Sequence, residues 1–217
     1  SVSGGTAAYS YVWSNGATAS AVSNVAAGNY SVTATDANGC TIIRSVSVTE
    51  PAALSVTISA TDVLCNGGAT GSVNLIVSGG TGTYTYLWNN NATSEDLSSV
   101  GTGSYSVTVR DANGCEAIAS VSVGQPAVLG ASYVQTNVSC NGGSNGAIDL
   151  SVSGATTPYS YAWSNGAQTT AMSGLIAGTY SVTATDANGC TITRSVTVTQ
   201  PTALTATTAH SPASSRV

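Results

Sequence analysis

One stretch of sequence occurs three times in this chain, at a constant 75-residue interval. It spans residues 28–40, 103–115 and 178–190, and the first and third copies differ only where Thr179 replaces Asn29. The same interval separates the three tryptophans, Trp13, Trp88 and Trp163. Internal repeats of this kind indicate an array of similar units. A unit as long as this interval can have a small core of its own, unlike the shorter repeats of solenoids.

The repeat interval predicts the domain boundaries. We expect a partial repeat with its first strand missing at residues 1–52, because Ser1 aligns with Ile76 and Ser151 in the middle of the later copies. Complete repeats follow at residues 53–127 and 128–202, and residues 203–217 are either the start of another repeat or a tail. The chain is therefore expected to be a segment of a longer tandem array.

Composition and alternation favour strands. The chain is 6% charged and contains no Phe, while Val, Thr, Ser and Gly are abundant. In the middle repeat, apolar residues alternate with small polar ones over residues 54–58, 73–77, 84–88, 105–109 and 117–123. Six or seven short strands with turn residues between them predict an all-β fold. We expect tandem immunoglobulin-like β-sandwich domains in an elongated array.

Two aromatic positions in each repeat sharpen this expectation. A tryptophan in the third strand and a Gly-x-Tyr sequence opening the penultimate strand are typical of the core tryptophan and the tyrosine corner of immunoglobulin-like domains. These residues are predicted to be structural: Trp13, Trp88, Trp163, Tyr30, Tyr105 and Tyr180. The alternative is a platform on which a sugar stacks, which requires the aromatic face to be exposed.

The third copy shows a combination of motifs that resembles the SprB-type repeat. It contains Cys-Asn-Gly-Gly at 140–143, Tyr-Ser-Tyr-Ala-Trp-Ser-Asn-Gly at 159–166, Gly-Thr-Tyr at 178–180 and Asp-Ala-Asn-Gly-Cys at 186–190. The middle copy departs with Asn-Asn-Asn after its tryptophan. The resemblance covers residues 1 to about 202. It implies an extracellular adhesin or filament of gliding Bacteroidota, exported by the type IX route, and the family has no fixed catalytic or ligand residues to transfer.

Several function classes find little support in the sequence. A net charge of −5 without any Lys disfavours nucleic-acid binding, which needs a positive face. No apolar run approaches the roughly 18 residues of a membrane span. The single His, His210, lies outside the repeat pattern, and no nucleophile has a partner base. We therefore expect no enzymatic activity and no membrane insertion in this segment.

The Asp-Ala-Asn-Gly sequence before each cysteine has two interpretations. A calcium loop alternates its ligands over twelve residues and ends in Glu, whereas these residues have the spacing of a hairpin turn. We expect an Asx turn with Gly in the left-handed region, and no cofactor, with calcium as the alternative. The predicted turn residues are Asp36, Asn38, Gly39, Asp111, Asn113, Gly114, Asp186, Asn188 and Gly189.

The cysteines are disulfide candidates, because none lies in a Cys-x-x-Cys motif or beside a histidine. The candidates are Cys40, Cys65, Cys115, Cys140 and Cys190. Within repeats, Cys65 would pair with Cys115 and Cys140 with Cys190. Across repeats, Cys40 would pair with Cys65 and Cys115 with Cys140. A sandwich places the within-repeat partners at opposite ends, yet a self-contained domain needs that pairing, so both stay open.

Three functions are compatible with these features. In the first, the repeats form a disulfide-stabilised spacer that projects a binding region from the bacterial surface. In the second, they bind glycans as accessory modules of a secreted polysaccharide-acting protein. In the third, the chain is a fibre subunit that donates a strand at residues 204–209 to the incomplete first repeat of another molecule. The expected partners are accordingly other repeats of the same chain, surface glycans, or further copies in a filament.

Overall fold

The computed structural model describes residues 1–210, and over these residues the chain is all-β, which confirms the predicted fold class. Each complete repeat contributes six strands and the first repeat three. The strands are β1 (Ser10–Trp13), β2 (Gly28–Thr35), β3 (Thr41–Val48), β4 (Ser55–Thr61), β5 (Gly71–Ser78), β6 (Thr85–Trp88), β7 (Leu97–Val100), β8 (Gly103–Arg110), β9 (Glu116–Val123), β10 (Gly130–Thr136), β11 (Gly146–Ser153), β12 (Ser160–Trp163), β13 (Ala171–Leu175), β14 (Gly178–Thr185) and β15 (Thr191–Val198).

The chain divides into two compact units that do not follow the 75-residue interval. The first contains Ser1–Ser55, Val77–Tyr84 and Arg110–Ala117. The second contains Val56–Ile76, Thr85–Val109 and the chain from Ile118 onward. The middle repeat contributes to both, so the two units are described separately.

In the first unit, residues 1–52 form a single antiparallel sheet with the strand order β1-β2-β3. The hairpin β2–β3 keeps its register from Gly28, opposite Val48, to Thr35, opposite Thr41. The counterpart of β7 at residues 22–25 is not a strand. In the later repeats the equivalent strand pairs with β5 or β11. Residues 1–52 contain no counterpart of that partner, so residues 22–25 have no strand beside them to hold them extended. Residues 1–52 thus form the counterpart of one of the two sheets of the later repeats.

In the second unit, the third repeat is a complete β-sandwich. One sheet has the strand order β10-β11-β13 and the other β12-β14-β15. The alternating apolar residues of the two sheets meet in one core, which buries Val138, Ile148, Leu150, Trp163, Met172, Leu175, Val182, Val196 and Val198. Trp163 is 4% exposed, and its indole Nε1–H donates to the carbonyl of Thr169 at 2.8 Å. The polar atom of this large side chain is therefore satisfied inside the core.

The middle repeat has the same two sheets, with the strand orders β4-β5-β7 and β6-β8-β9. Trp88 is 1% exposed and donates to the carbonyl of Ser94 at 2.8 Å, as Trp163 does to Thr169. Val73, Val107 and Val109, also in the second unit, are buried as well. Equivalent residues thus perform equivalent packing in the two complete repeats.

The Gly-x-Tyr sequence forms a corner in all three repeats. The hydroxyl of Tyr105 donates to the carbonyl of Gly101 at 3.0 Å, and that of Tyr180 to the carbonyl of Ile176 at 3.1 Å. In the first unit Tyr30 makes the same bond to Ala26 at 2.9 Å. Each bond runs from the tyrosine, near the start of its strand, to a carbonyl four residues earlier. It therefore closes the connection that leads into that strand.

The strand expected at residues 204–209 is absent. These residues are exposed and have no regular structure. An extended segment without a neighbouring strand has no partner for its backbone N–H and C=O groups, which explains why alternation alone does not produce a strand here. Residues 211–217, the rest of the predicted tail, lie outside the described residues.

The burial of Trp163 gives a first prediction. Trp163→Ala should lower the free energy of unfolding by about 3–5 kcal/mol, because it leaves a large cavity between the two sheets. Val134→Thr is the matched control, since Val134 is 74% exposed on β10 and Thr keeps the β-branched shape. Urea unfolding followed by far-ultraviolet circular dichroism measures both. Equal losses in the two variants would contradict a core role for Trp163.

Candidate functional site: the joint between consecutive repeats

The linker at residues 124–129 is fixed to the repeat that precedes it. The N–H of Gly67 donates to the side-chain Oε1 of Gln125 at 2.9 Å. The side-chain amide of Asn66 donates to the carbonyl of Pro126 at 3.0 Å. The Cys-Asn-Gly-Gly loop therefore provides donors for two consecutive linker residues and sets the direction in which the chain leaves the middle repeat.

The next linker residues are fixed to the repeat that follows. The N–H of Ala155 donates to the carbonyl of Ala127 at 3.0 Å. Gly154 has a φ of 81°, and a Cβ at this position would lie 1.9 Å from the carbonyl oxygen of Val128. Only glycine permits so close an approach of two backbones. No freely hinged residue therefore separates the part of the linker bound to one repeat from the part bound to the next.

The first unit contains the same attachment at its own linker. The N–H of Gly80 donates to the carbonyl of Ala52 at 2.7 Å. A Cβ on Gly79 would lie 2.0 Å from the carbonyl oxygen of Ala53. The contact between a linker and the Ser-Gly loop of the following repeat is thus made twice in this chain.

The Asp-Ala-Asn-Gly-Cys turn lies beside this attachment and is organised by its carboxylate. Oδ1 of Asp186 accepts hydrogen bonds from the N–H groups of Asn188 at 2.9 Å and Cys190 at 2.8 Å. Oδ2 accepts one from the N–H of Thr156 at 3.1 Å. Gly189 has a φ of 84°, in the left-handed region. One side chain therefore holds both the turn and the neighbouring loop.

The other two copies of the turn repeat this arrangement. Their bonds join Asp36 to Thr6, Asn38 and Cys40, and Asp111 to Thr81, Asn113 and Cys115; the turn glycines Gly39 and Gly114 also have positive φ. In Asp36 the bond from the Thr6 N–H is the largest influence and lowers the pKa. In Asp111 and Asp186 burial acts to raise the pKa, and the N–H bonds outweigh it. All three carboxyls have a pKa below their usual value, so they are charged at neutral pH.

A disulfide joins the middle repeat to the third. Cys65 of the Cys-Asn-Gly-Gly loop is bonded to Cys190 of the turn, with 5.7 Å between the two Cα atoms and a sequence separation of 125. Beside it, the side-chain amide of Asn188 donates to the carbonyl of Leu64 at 3.1 Å. The joint between these repeats is therefore covalent as well as hydrogen-bonded.

This pairing differs from both that were predicted. Cys65 is not bonded to Cys115, as the within-repeat scheme required, nor to Cys40, as the alternative required. The third repeat shows the reason. Cys190 immediately precedes β15, while Cys140 lies in the loop near the end of that strand, where the N–H of Val138 donates to the carbonyl of Thr199.

An eight-residue strand is roughly 25 Å long, far beyond the 4.4–6.8 Å Cα separation of a disulfide. We call the end of a repeat that meets the preceding linker its proximal end, and the end that meets the following linker its distal end. A disulfide is geometrically accessible only from the distal end of one repeat to the proximal end of the next. The three remaining cysteines, Cys40, Cys115 and Cys140, are free and exposed.

The aromatic face is not an open platform in the complete repeats. Trp88 and Trp163 are buried, whereas Trp13 on the single sheet of the first unit is half-buried. Across residues 1–210, no cluster of three or more His, Cys, Asp or Glu side chains is arranged to hold a metal ion. Those residues also include no helix long and apolar enough to cross a membrane.

Sequence reasoning missed the residues that hold the linker, although a signal was present. A Glu-Pro or Gln-Pro pair recurs at the 75-residue interval, at residues 50–51, 125–126 and 200–201. The pair in the third repeat is bound as in the middle one, with Gln200 accepting from the Gly142 N–H at 2.8 Å and Pro201 from the Asn141 amide at 3.1 Å. The same two hydrogen bonds between the Gln-Pro dipeptide and the Asn-Gly sequence of the loop are therefore made in both complete repeats.

The close approach at Gly154 gives a second prediction. Gly154→Ala should lower the free energy of unfolding by about 1–3 kcal/mol more than Gly142→Ala, because its Cβ overlaps the linker backbone. Gly142 is the matched control: its φ of 77° imposes a similar strain of about 1–2 kcal/mol, but nothing lies within 4 Å of its added Cβ. Urea unfolding gives the energies, and hydrogen exchange at the Ala155 amide locates the damage. Equal losses with unchanged exchange would contradict the contact.

The carboxylate of Asp186 gives a third prediction. Its folded pKa lies below the ordinary 3.8, so its stabilising contribution is complete above that value and is lost as the pH falls through the folded value. Asp186→Asn should melt at a lower temperature than the native chain at neutral pH. The gap should narrow as the pH is lowered to about 2. A gap independent of pH would show that the charge contributes nothing.

The comparisons with known proteins divide into family and structure. The family model of the SprB repeat matches residues 1–18, 57–93 and 132–168. No curated protein matches the sequence. Among solved structures, the N-terminal eight immunoglobulin domains of Down Syndrome Cell Adhesion Molecule are 13% identical, with a TM-score of 0.40, over 89% of this chain and 33% of that chain.

Two further solved structures are similar at the same level. Extracellular domains 3–5 of Drosophila OTK are 14% identical with a TM-score of 0.32, over 81% of this chain and 72% of that one. The amphioxus IgVJ-C2 molecule is 13% identical with a TM-score of 0.29, over 70% and 99%. At these identities and TM-scores no binding property passes to this chain. The family model of the SprB repeat matches at three places in register with the 75-residue interval, so each repeat of this chain contains a stretch similar to the SprB repeat.

Proposed function

We propose that this chain is a segment of a large extracellular bacterial surface protein, an adhesin or filament, in which the tandem repeats are a spacer that projects a binding region. The observation that carries the proposal is the joint at residues 124–129. The linker is hydrogen-bonded to both repeats that it connects, and the Cys65–Cys190 disulfide crosses the same joint. A spacer requires this property, because flexible joints would let the array collapse.

The location outside the cell is supported by the disulfide, since such bonds persist in oxidising compartments. From the resemblance to the SprB-type repeat, we further propose that the protein lies on the surface of gliding Bacteroidota and is exported by the type IX route. We propose no enzymatic role, because the features that recur in each repeat are turns, corners and linker contacts. The partners of the repeats are then primarily other repeats of the same chain.

Calcium is not required for this role. Both oxygens of each turn carboxylate already accept backbone N–H bonds, for example those of Asp186. These bonds use three of the roughly four acceptor sites of the Asp186 carboxylate. We propose that the turn is stable without any cofactor, so the melting temperature should be the same in excess calcium and in chelator. A rise with calcium would establish an ion site instead.

Glycan binding by the repeats is the second candidate function. The platform it needs is missing from the two complete repeats, whose tryptophans Trp88 and Trp163 are buried in the core. Half-buried Trp13 is the one remaining tryptophan for such a role. The third candidate, a strand-exchanging fibre subunit, has its donor segment at residues 204–209, which is exposed and without regular structure. Neither alternative uses the linker contacts.

Changing the number of repeats in the surface protein that contains this chain tests the proposal. Removal of residues 128–202, which are one whole repeat interval, should leave cell adhesion intact. It should also bring a label at the projecting end closer to the cell surface in electron micrographs. A glycan-binding array would instead lose adhesion with each repeat removed, because avidity depends on the number of sites.

The matched control replaces residues 128–202 with an unrelated immunoglobulin-like domain of similar length. A spacer tolerates this exchange, so adhesion and the height of the label should both be restored. Loss of adhesion in the exchanged protein, with the label at its original height, would contradict the spacer role and favour binding by the repeats themselves.

A further inference from the structure

The free cysteines occupy the same structural positions as the bonded ones. Cys140 lies in the distal loop of the third repeat, as Cys65 does in the middle repeat. Cys115 and Cys40 follow the proximal turns of the middle and first repeats, as Cys190 does in the third. All three free thiols are exposed. The question is why they are unpaired while their equivalents are bonded.

The observed separation answers this question. The bonded pair is 125 residues apart, from a distal cysteine to the proximal cysteine of the next repeat. A partner at the same separation after Cys140, or before Cys115 or Cys40, falls outside the 217 residues of the sequence. Cys65 and Cys190 are the one pair that satisfies the rule within this sequence. The free thiols are therefore those for which the sequence contains no cysteine at this separation.

The backbone around Cys140 makes the same hydrogen bonds as the backbone around Cys65. The N–H of Gly143 donates to the carbonyl of Cys140 at 3.0 Å, as the N–H of Gly68 does to that of Cys65. The linker that leaves the third repeat is bound by Asn141 and Gly142 just as the previous linker is bound by Asn66 and Gly67. The distal end of the third repeat thus reproduces the half of the joint that holds Cys65.

The proximal half of the joint is equally repeated. In the first unit, the N–H of Cys115 donates to Oδ1 of Asp111 at 2.8 Å, the same bond that Cys190 makes to Asp186. The N–H of Ala112 donates to the carbonyl of Thr81 at 3.0 Å, matching Ala187 and Thr156 in the third repeat. The backbone that presents Cys190 to Cys65 is therefore present at Cys115 also.

We infer that Cys140 is a cross-linking site for the Asp-Ala-Asn-Gly-Cys cysteine of an SprB-type repeat that follows in tandem. By the same rule Cys115 and Cys40 accept the Cys-Asn-Gly-Gly cysteines of preceding repeats. The consequence is a ladder of disulfides in which each bond crosses one joint and no bond lies within a repeat. The inference concerns how repeats are joined and stands whatever region the array projects.

The bond forms by thiol–disulfide exchange with a low-molecular-weight disulfide such as oxidised glutathione. The thiolate of Cys140 attacks one glutathione sulfur, forms a mixed disulfide and releases one glutathione thiolate. The thiolate of the partner cysteine then attacks the Cys140 sulfur and releases the second glutathione. The two cysteines lose two protons and two electrons, and the glutathione disulfide is reduced to two thiols.

The test extends the full chain by a second copy of residues 128–202, inserted directly after Thr202. This places the copied equivalent of Cys190 at the required 125 residues from Cys140. Within the copy, Ser144→Ala and Thr193→Ile introduce the residues found at the equivalent positions Ala69 and Ile43, so that the two copied cysteine peptides differ in mass from the originals. The extended chain is oxidised in a glutathione buffer, alkylated, digested without reduction and analysed by mass spectrometry. We expect Cys140 to lose its alkylation and to appear in a peptide bonded to the copied cysteine, while Cys65–Cys190 is unchanged.

Two variants control the test. In the extended chain, changing the copied equivalent of Cys190 to Ser should leave Cys140 fully alkylated again. In the original chain, Cys65→Ser should leave Cys190 alkylated and not bonded to Cys140, because those two lie at opposite ends of one repeat. A Cys140–Cys190 peptide in either chain, continued alkylation of Cys140 beside the intact copy, or dimers joined through Cys140 would each overturn the inference.

Discussion

The rest of this structure depends on the attachment of one short linker to two repeats. Residues 125 and 126 are bonded to the Cys-Asn-Gly-Gly loop behind them, and residues 127 and 128 contact the Ser-Gly loop ahead. Because the two attachments are consecutive in sequence, the third repeat cannot turn freely against the middle repeat. The disulfide between Cys65 and Cys190 joins the same two repeats covalently.

The carboxylate of the Asp-Ala-Asn-Gly-Cys turn connects this joint to the interior of the repeat. Asp186 accepts a hydrogen bond from the N–H of Cys190, so the aspartate holds the backbone of the cysteine that forms the disulfide. The aspartate holds the turn against the loop that contains Gly154 and Thr156, and that loop contacts the linker. The carboxylate of this repeated motif is thus surrounded by N–H donors of the protein itself. What recurs in each copy of the motif is the bond between its aspartate and the neighbouring loop, at Thr6, Thr81 and Thr156.

Local features of the structure could be predicted from the sequence, whereas contacts between repeats could not. Strands such as β8 and β9 follow directly from alternating apolar residues and the turn between them. The corner tyrosines make the expected bonds because their partners lie four residues away. The cysteine pairing was missed because it depends on which ends of two different repeats meet. Residues 204–209 have no regular structure in this chain for a related reason, since a strand needs a neighbour that alternation cannot reveal.

Disulfide mapping of the unaltered 217-residue chain tests the central claim most directly. The chain is oxidised, its free thiols are alkylated, and it is digested without reduction before mass spectrometry. A structure organised around the joint predicts one bonded peptide pair, containing Cys65 and Cys190, with Cys40, Cys115 and Cys140 alkylated. A peptide that joins Cys65 to Cys115 would place the bond inside a single repeat and contradict the account.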